Sequence, residues 1–228
     1  MQFCLSPEQV SLQECCRELA QGFAQHAIEH DRDASAPVEN YHAIRDAGLF
    51  GLLVPQDFGG MGMGLLGHTL AMEELAQGCA ATAMSFNMHC VAAYTLTAAG
   101  AFSDAVSQRV ADYMVKDRKL MSNLISEAGT TNLLYSTRAS STQATRVDGG
   151  YILNGRKAFA SMMSSADSAL ICVHPEDVDN PESVIMVVVP RETEGLTIEP
   201  VWDTLGMRGT CSDNVVLENC FVPNEWAF

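Results

Sequence analysis

A loop rich in hydroxyl groups and small side chains follows a short apolar stretch in the second half of the chain. The stretch covers residues 123–125, and the loop covers residues 126–132. Backbone N–H groups and hydroxyls in such a loop can donate to a pyrophosphate or to the polar edge of a flavin ring. Composition alone favours a plain turn, so the loop is a candidate binding segment that needs support from its neighbours.

Two later segments combine glycine with basic and hydroxyl residues. Residues 154–161 read Asn-Gly-Arg-Lys-Ala-Phe-Ala-Ser and are followed by Ala166-Asp167. Residues 205–210 read Leu-Gly-Met-Arg-Gly-Thr and precede a strand-like run that ends in Val222-Pro223. Together with residues 123–132, these segments are the strongest candidates for a ligand site.

Residues 62–67 match the spacing G-x-G-x-x-G, which in a dinucleotide-binding unit follows a strand and opens a helix. That fingerprint also needs an acidic residue roughly 20 positions further on. Glu73 and Glu74 come too early, and no β-α-β pattern surrounds the match. The segment is therefore interpreted as a glycine-rich loop between helices.

Histidine and cysteine residues do not occur at metal-ligand spacing. His89 lies in an apolar run, where a core histidine with one hydrogen bond is more common than a catalytic one. The eight cysteines include no C-x-x-C pair, and His26 and His30 are an isolated pair. Buried thiols are expected, and neither a bound metal nor a catalytic residue is predicted from these side chains.

Composition limits the possible partners. The chain has 228 residues, 47% of them apolar and 18% charged, which is enough for a sizeable core in one or two domains. A formal net charge of -15 disfavours nucleic acid. No stretch approaches the roughly 18 apolar residues of a membrane span, and no leader pattern opens the chain, so a cytoplasmic location is expected.

The first half reads as helical. Ser6-Pro7-Glu8-Gln9 predicts a capped helix start. Apolar spacing predicts that this helix buries Leu12, Cys15 or Cys16, Leu19 and Phe23. Further helices are predicted over residues 39–47, 67–99 with a break near Gly78, and 103–116.

After Lys119, short alternating runs separated by turn residues predict strands. A hairpin is expected over residues 142–155, with further strands over residues 169–173, 184–189, 196–198 and 215–222. Helices followed by strands favour two packed domains. We therefore predict an α+β chain with a helical domain over residues 1–117 and a β-rich domain over residues 118–228.

Five segments, in order, resemble motifs of the acyl-CoA dehydrogenase family. Residues 53–60 resemble its Pro-containing "IPEEYGG" turn, and residues 73–76 its "EELA" helix. The three segments of the second half resemble its T-E-P-x-A-G-S-D, G-x-K-x-[WF]-I-T-N and L-G-M-R-G-[ST] motifs. The resemblance covers essentially the whole chain. It implies a helical N-terminal domain followed by a β-barrel-like middle domain that binds FAD.

The resemblance also assigns eight flavin-site residues: Leu124, Ile125, Ser126, Thr131, Asn132, Phe159, Ala160 and Ser161. Backbone groups of the first two would border the ring, and the Ser126 hydroxyl would bond its pyrimidine edge. Phe159 would cover the isoalloxazine, with the Ser161 hydroxyl near N5. The pair at 131–132 stands near the family's Gly-Ser, which contacts the pyrophosphate or the pantetheine arm.

The chain also departs from the family pattern. Ala128 replaces a proline, Thr131-Asn132-Leu133 replaces Gly-Ser-Asp, and Met162 replaces an asparagine. The family's glutamate base belongs to a C-terminal helical bundle for which we find no counterpart before Phe228. We therefore expect the base to come from outside these residues.

The resemblance implies an oxidoreductase of lipid metabolism, a flavoprotein that dehydrogenates an acyl-CoA thioester as a fragment or as one piece of a split enzyme. A homo-oligomer or a complementary subunit would supply the bundle, and an electron-transfer flavoprotein is a candidate partner. Two alternatives remain open. One is a flavin-dependent monooxygenase on the same scaffold, and the other is a catalytically silent flavin- or acyl-binding module.

Overall fold

The computed structural model describes residues 4–128, 140–178 and 183–228. Their contacts separate the chain into two compact units. A helical unit contains Met1–Leu120 and Asp203–Thr210, and a sheet unit contains Met121–Trp202 and Cys211–Phe228. Two of the residues assigned to the flavin site, Thr131 and Asn132, lie outside the described residues.

Six α-helices form the described part of the helical unit. They are α1 (Pro7–Phe23), α2 (Ala27–Asp33), α3 (Val38–Asp46), α4 (Gly64–Gly78), α5 (Ala80–Thr97) and α6 (Asp104–Ala111). Short 3-10 turns at Leu49–Gly51 and Gln56–Phe58 connect α3 to α4. The predicted helices are therefore present, and the predicted break lies at the end of α4.

The start of α1 has the predicted capping box. The Gln9 backbone N–H donates to the Ser6 hydroxyl at 3.3 Å, and the Ser6 N–H donates to the Gln9 side-chain oxygen at 2.9 Å. The buried face is Leu12, Cys16, Ala20 and Phe23. Ala20 takes the place predicted for Leu19, because α1 packs closely against Gly78 of α4. A Cβ at Gly78 would lie only 2.1 Å from the Ala20 carbonyl oxygen.

His89 is a core residue of α5. Its side chain is completely buried, and Nε2 lies 2.9 Å from the Phe50 carbonyl oxygen. The imidazole ring also packs against Phe50 and Phe86, with ring centroids 4.8 and 5.6 Å away. This environment explains the apolar run around His89 in the sequence by packing rather than by chemistry.

The predicted helix over residues 103–116 changes its winding near its end. The α-helix stops at Ala111 and continues as a π-helical turn over Asp112–Lys116. The wider turn keeps Met114 fully buried, while the Lys116 ammonium reaches back to the Asp112 carboxylate at 2.8 Å. Winding of this kind depends on packing and leaves no signal in apolar spacing.

Seven strands build the described part of the sheet unit. They are β1 (Met121–Leu124), β2 (Gln143–Val147), β3 (Gly150–Ala160), β4 (Ser168–Pro175), β5 (Ile185–Pro190), β6 (Leu196–Glu199) and β7 (Asp213–Pro223). Their order is β1-β4-β2-β3-β7-β6, and β5 pairs with β4. The predicted fold class, a helical region followed by a β-rich region, is confirmed.

The sheet is mixed. β4 runs parallel to β1 and to β2, whereas β2 with β3, β3 with β7, β6 with β7, and β4 with β5 are antiparallel. The hairpin of β2 and β3 turns between Val147 and Gly150 as predicted. β4 is buried along nearly all of its length, as expected for a strand with neighbours on both edges.

None of the helices in the described parts of the chain has both the length and the apolar character to cross a membrane.

Candidate functional site

The end of β1 and the end of β3 are joined by hydrogen bonds in the sheet unit. The Ala158 N–H donates to the Ser126 carbonyl oxygen at 2.9 Å. The Ser122 hydroxyl donates to the Ser161 carbonyl oxygen at 2.8 Å. We call residues 124–126 and 158–161 the β1–β3 corner. It brings together six of the eight residues that the sequence assigned to the flavin site.

Side chains in the corner differ sharply in exposure. Leu124 and Ala160 are fully buried, Ser126 and Ser161 are half-buried, and Phe159 is 60% exposed. Phe159 is therefore a large exposed apolar ring in a segment that also contains half-buried serines. An exposed aromatic in such a place is typical of a surface that receives a planar ligand.

The backbone of the corner is unusual for residues other than glycine. Phe159 has φ 56° and Met162 has φ 55°, both in the left-handed region. Lys157 pairs with Val215 and Ala160 pairs with Asp213, so two residues of β3 lie opposite one residue of β7. This bulge turns the Phe159 ring outward, and strained backbone of this kind is concentrated at functional sites.

Trp202 packs edge-on against the exposed ring. The ring centroids of Phe159 and Trp202 are 6.0 Å apart with an interplanar angle of 87°. The Asp213 carboxylate accepts from the Val201 N–H at 2.8 Å and from the Trp202 N–H at 3.0 Å. Asp213 therefore fixes the segment after β6, which presents the indole to Phe159.

The Ser161 hydroxyl contacts a second serine, Ser212. The Ser161 and Ser212 hydroxyl oxygens are 2.8 Å apart, and Ser212 is 5% exposed. The pair links the end of β3 to the residue before β7.

A buried ion pair lies directly beside the corner. The Lys157 ammonium donates to the Glu127 carboxylate at 2.6 Å, and both side chains have no exposed surface. It also donates to the Cys172 carbonyl oxygen at 2.5 Å. The same carboxylate accepts from the hydroxyls of Ser140, Ser141 and Thr142 at 2.6 to 2.7 Å.

These contacts keep Glu127 ionised. Burial alone would raise the pKa of its carboxyl group, but the hydrogen bonds from Lys157 and the three hydroxyls outweigh burial and lower the pKa to about 2. Burial lowers the pKa of Lys157, and the neighbouring carboxylate opposes that change. A carboxylate so fully bonded and so enclosed is a structural group rather than a proton acceptor for a substrate.

The helical unit contains a separate apolar groove between α4 and α5. Its volume is about 730 Å³, and its lining includes Met72, Ala76, Met84, Asn87 and His68. Met84 is half exposed in this groove. Burial lowers the pKa of His68, although a hydrogen bond with Asn87 opposes this, so the imidazole is neutral near pH 7. The groove suits an apolar ligand.

No three His, Cys, Asp or Glu side chains in residues 4–128, 140–178 and 183–228 lie close enough together to hold a metal ion. A flavin, by contrast, fits the chemistry of the corner. The corner combines half-buried hydroxyls at Ser126 and Ser161 with the exposed aromatic ring of Phe159, and Ala160 is a small buried residue. The contribution assigned to Thr131 and Asn132 lies outside the described residues.

Sequence reasoning missed three participants of this region. Ser212 and Trp202 reach the corner only through the pairing of β3 with β7, which motif spacing does not encode. Lys157 did carry a signal. Side chains alternate between the two faces of a strand, so Lys157 lies on the same face of β3 as the buried residues Tyr151 and Leu153. A lysine on a buried face needs a buried anion as its partner.

Comparison with known families gives two matches. The model described as "Acyl-CoA dehydrogenase, N-terminal domain" matches residues 6–132, and "Acyl-CoA dehydrogenase, middle domain" matches residues 122–220. A mitochondrial 2-methylacyl-CoA dehydrogenase of Solanum tuberosum is 27% identical, over 97% of this chain and 53% of its own length. The amino sugar nitrososynthase DnmZ of Streptomyces peucetius is 28% identical, over 86% of this chain and 48% of its own length.

Solved structures give a similar picture. KijD3 in complex with dTDP superposes with a TM-score of 0.85 at 26% identity, over 98% of this chain and 56% of that one. FMN-bound TdsC from Paenibacillus sp. A11-2 gives a TM-score of 0.82 at 27% identity, over 95% and 53%. The chain thus spans about half the length of the proteins it matches.

Proposed function

Because the chain belongs to the acyl-CoA dehydrogenase family, we propose that its sheet unit binds FAD as part of an oxidoreductase that dehydrogenates an acyl-CoA thioester. The observation that carries this proposal is the β1–β3 corner. In it the Ala158 N–H to Ser126 carbonyl hydrogen bond joins two segments that carry the exposed Phe159 ring and the half-buried residues Ser126 and Ser161.

The corner residues would hold and orient the cofactor. The Phe159 ring would cover one face of the isoalloxazine, and the backbone of Leu124 and Ile125 would border its edge. The Ser126 hydroxyl would bond the pyrimidine side, and the Ser161 hydroxyl would bond near N5 beside the small Ala160. When bound, the flavin supplies the hydride acceptor, so the protein's part is orientation and exclusion of water.

The base that removes the α-proton would come from outside the described corner. Dehydrogenation needs a positioned base at Cα while the hydride leaves Cβ. Glu127 is the carboxylate adjacent to Ser126, and its ion pair with Lys157 and its burial exclude it from this role. We propose that a further segment or a partner subunit, in a homo-oligomer or with a complementary chain, supplies the base.

The groove of the helical unit is the proposed place for the acyl chain. Its methionine and alanine side chains favour an apolar group, and Glu73 in the same lining disfavours an anionic one. Thr131 and Asn132 remain the proposed contacts for the pyrophosphate or the pantetheine arm, and an electron-transfer flavoprotein is the proposed electron acceptor. None of the eight cysteines is in a disulfide bond, which supports our proposal of a cytoplasmic location.

Titration of the purified chain with FAD and with FMN tests the flavin proposal. We expect a yellow protein with one flavin per chain and tighter binding of FAD than of FMN. Phe159→Ala should weaken flavin binding, because the isoalloxazine would lose its contact with the Phe159 ring. Phe221→Ala is the matched control, since Phe221 is also an exposed aromatic of the sheet unit at 46% exposure. Lack of flavin binding by the unchanged chain at saturating concentration would overturn the proposal.

A flavin-dependent monooxygenase is the second candidate. Its support comes from the relatives, because a nitrososynthase and a structure described as dibenzothiophene monooxygenase match this chain as well as several dehydrogenases do. In that reaction reduced flavin would provide two electrons, one oxygen atom of O₂ would enter the substrate, and the other would leave as water.

Two reactions separate the candidates. Anaerobic mixing of the flavin-loaded chain with a panel of acyl-CoAs would bleach the flavin band if a dehydrogenase base were present. We expect residues 1–228 alone to give no such bleaching and a complementary subunit to restore it. Bleaching by the chain alone would place the base within these residues. Oxygen consumption coupled to oxygenation of an amino sugar or a sulfur heterocycle would favour the monooxygenase.

A further inference from the structure

Ser212 stands behind the Ser161 hydroxyl and is not among the residues that sequence motifs assign to a site. Its side chain is 5% exposed, whereas Ser161 is half-buried. The two hydroxyl oxygens are 2.8 Å apart, and either can be the donor. Ser161 is therefore the more exposed residue of the pair, and Ser212 contacts its hydroxyl from a more buried position.

The backbone makes this pairing specific. Asp213, the first residue of β7, pairs with Ala160, the last residue of β3. Cys211 has φ 42° and Met162 has φ 55°, so both chains turn sharply beside the pair. Ser212 and Ser161 thus meet at the place where the two strands leave the sheet, and the Asp213 carboxylate ties the same place to Val201 and Trp202.

A hydroxyl has one donor and two acceptor sites. Ser161 can donate to an acceptor nitrogen of a ligand while it accepts from Ser212. It can equally accept from a ligand N–H while it donates to Ser212. A flavin N5 is an acceptor when the ring is oxidised and carries a hydrogen when it is reduced, so both arrangements are required of a neighbour of N5.

We propose that Ser212 is a positioning residue that lets the Ser161 hydroxyl serve both oxidation states of a flavin by reversing the direction of the Ser161–Ser212 hydrogen bond. This inference rests on the proposed flavin site. Without Ser212, the Ser161 hydroxyl would lose the hydrogen-bonding partner that it has in both donor–acceptor directions. Its rotamer would then no longer be fixed toward the ligand.

The test compares flavin binding by the unchanged chain, Ser212→Ala and Ser212→Thr. Dissociation constants are measured for oxidised flavin in air and for dithionite-reduced flavin under argon. We expect Ser212→Ala to weaken binding of reduced flavin relative to oxidised flavin by about 2- to 10-fold, because the Ser161 O–H is left without an acceptor only when Ser161 accepts from N5–H. Ser212→Thr keeps the hydroxyl and should restore the original ratio and the original visible absorption band.

Ser122→Ala is the matched control. Its hydroxyl also bonds residue 161 at 2.8 Å, but at the carbonyl oxygen. Loss of this bond should affect both oxidation states alike and leave the ratio unchanged. If the ratio of the two dissociation constants changes equally in Ser122→Ala and Ser212→Ala, Ser212 has only a structural role and the inference is overturned.

A double mutant gives an independent measurement. In a Ser161→Ala background, Ser212→Ala should have no further effect on the ratio, because the two hydroxyls act as one unit. Additive effects would contradict the proposal. If the unchanged chain binds no flavin, the proposed function itself fails. If Ser161→Ala alters binding and Ser212→Ala does not, only the present inference fails.

Discussion

Two polar regions lie next to each other at the end of β3 and are built in opposite ways. Lys157 and Glu127 have no exposed surface, and each has several hydrogen-bonding partners. Ser161 and Phe159 lie at an open edge, with left-handed backbone at Phe159 and an aromatic ring facing outward.

This contrast in burial separates polar groups with a structural role from polar groups that a ligand could reach. The buried pair joins the residue after Ser126 to the residue before Ala158, and therefore holds both segments of the corner from behind. Because both side chains make their hydrogen bonds inside the protein, few of their donor and acceptor sites remain for a substrate. The open edge has bonding capacity that a ligand can use, and its geometry depends on the pair.

Loss of the buried ion pair should have the largest effect. Lys157→Met leaves the Glu127 carboxylate buried without its cation, and removing one partner of a buried pair typically costs about 3–5 kcal/mol. Urea denaturation followed by circular dichroism would measure the change in the free energy of unfolding. A loss below 1 kcal/mol would show that water or another cation replaces the ammonium, and that the two regions differ less than we infer.

Acid should weaken the same region selectively. The pKa of Glu127 is about 2 in the folded chain, below the roughly 4.3 of a free glutamate. The stabilisation is therefore fully present above about pH 5 and is lost as the pH falls toward 2, by about 3 kcal/mol in total. Unfolding free energies between pH 2 and 6 should show this loss in the unchanged chain. In Glu127→Gln the free energy of unfolding should fall less steeply between pH 6 and pH 2. The same pH dependence in both proteins would contradict the lowered pKa of Glu127.

Removal of the hydroxyls at the open edge should affect binding rather than folding. Each neutral hydrogen bond contributes about 0.5–1.5 kcal/mol, so Ser126→Ala with Ser161→Ala should weaken FAD binding by about 1–3 kcal/mol. Fluorescence titration would measure the affinity, and urea denaturation should show little change. Ser164→Ala, at an exposed serine just beyond the corner, is the control. Equal affinity in the double mutant would remove both hydroxyls from the flavin site.

The smallest effect is expected at the exposed ion pair next to Lys157. Arg156 and Glu199 form a contact in which the side chains are 51% and 36% exposed. Water screens such a pair, so Glu199→Gln should change the free energy of unfolding by less than about 1 kcal/mol. The change should decrease further in 0.5 M salt. A loss as large as that of Lys157→Met would erase the distinction between exposed and buried pairs on this strand.

Local signals predicted most of the elements. The capping box at Ser6, the glycine near the end of α4 and the β2–β3 hairpin depend on residues close together in sequence, so periodicity and turn chemistry are enough to find them. The six described residues assigned to the flavin site came from the order of motifs that resemble a family pattern, and not from local residue patterns. The parallel pairing of β4 with β1 and β2 was not predicted, because residue patterns do not specify which distant strands become neighbours.

Side-chain partners that depend on this pairing were missed for the same reason. Ser212 meets Ser161 only because a bulge in β3 shifts the register against β7. Ala20 is buried in place of Leu19 because Gly78 allows close approach of two backbones. Both depend on a neighbouring element, and neither changes the apolar pattern of its own segment.

The connectivity of the sheet has a consequence for how the chain folds. β1 lies beside β4, and β3 lies beside β7, so Met121 pairs with Ser168 and Tyr151 pairs with Val222. Long loops must close before such contacts form, and folding rates fall as sequence separation between partners grows. The β2–β3 hairpin and the helices need no such closure. During refolding we expect them to form first, with the strand pairs that create the corner completing the structure in a slower phase.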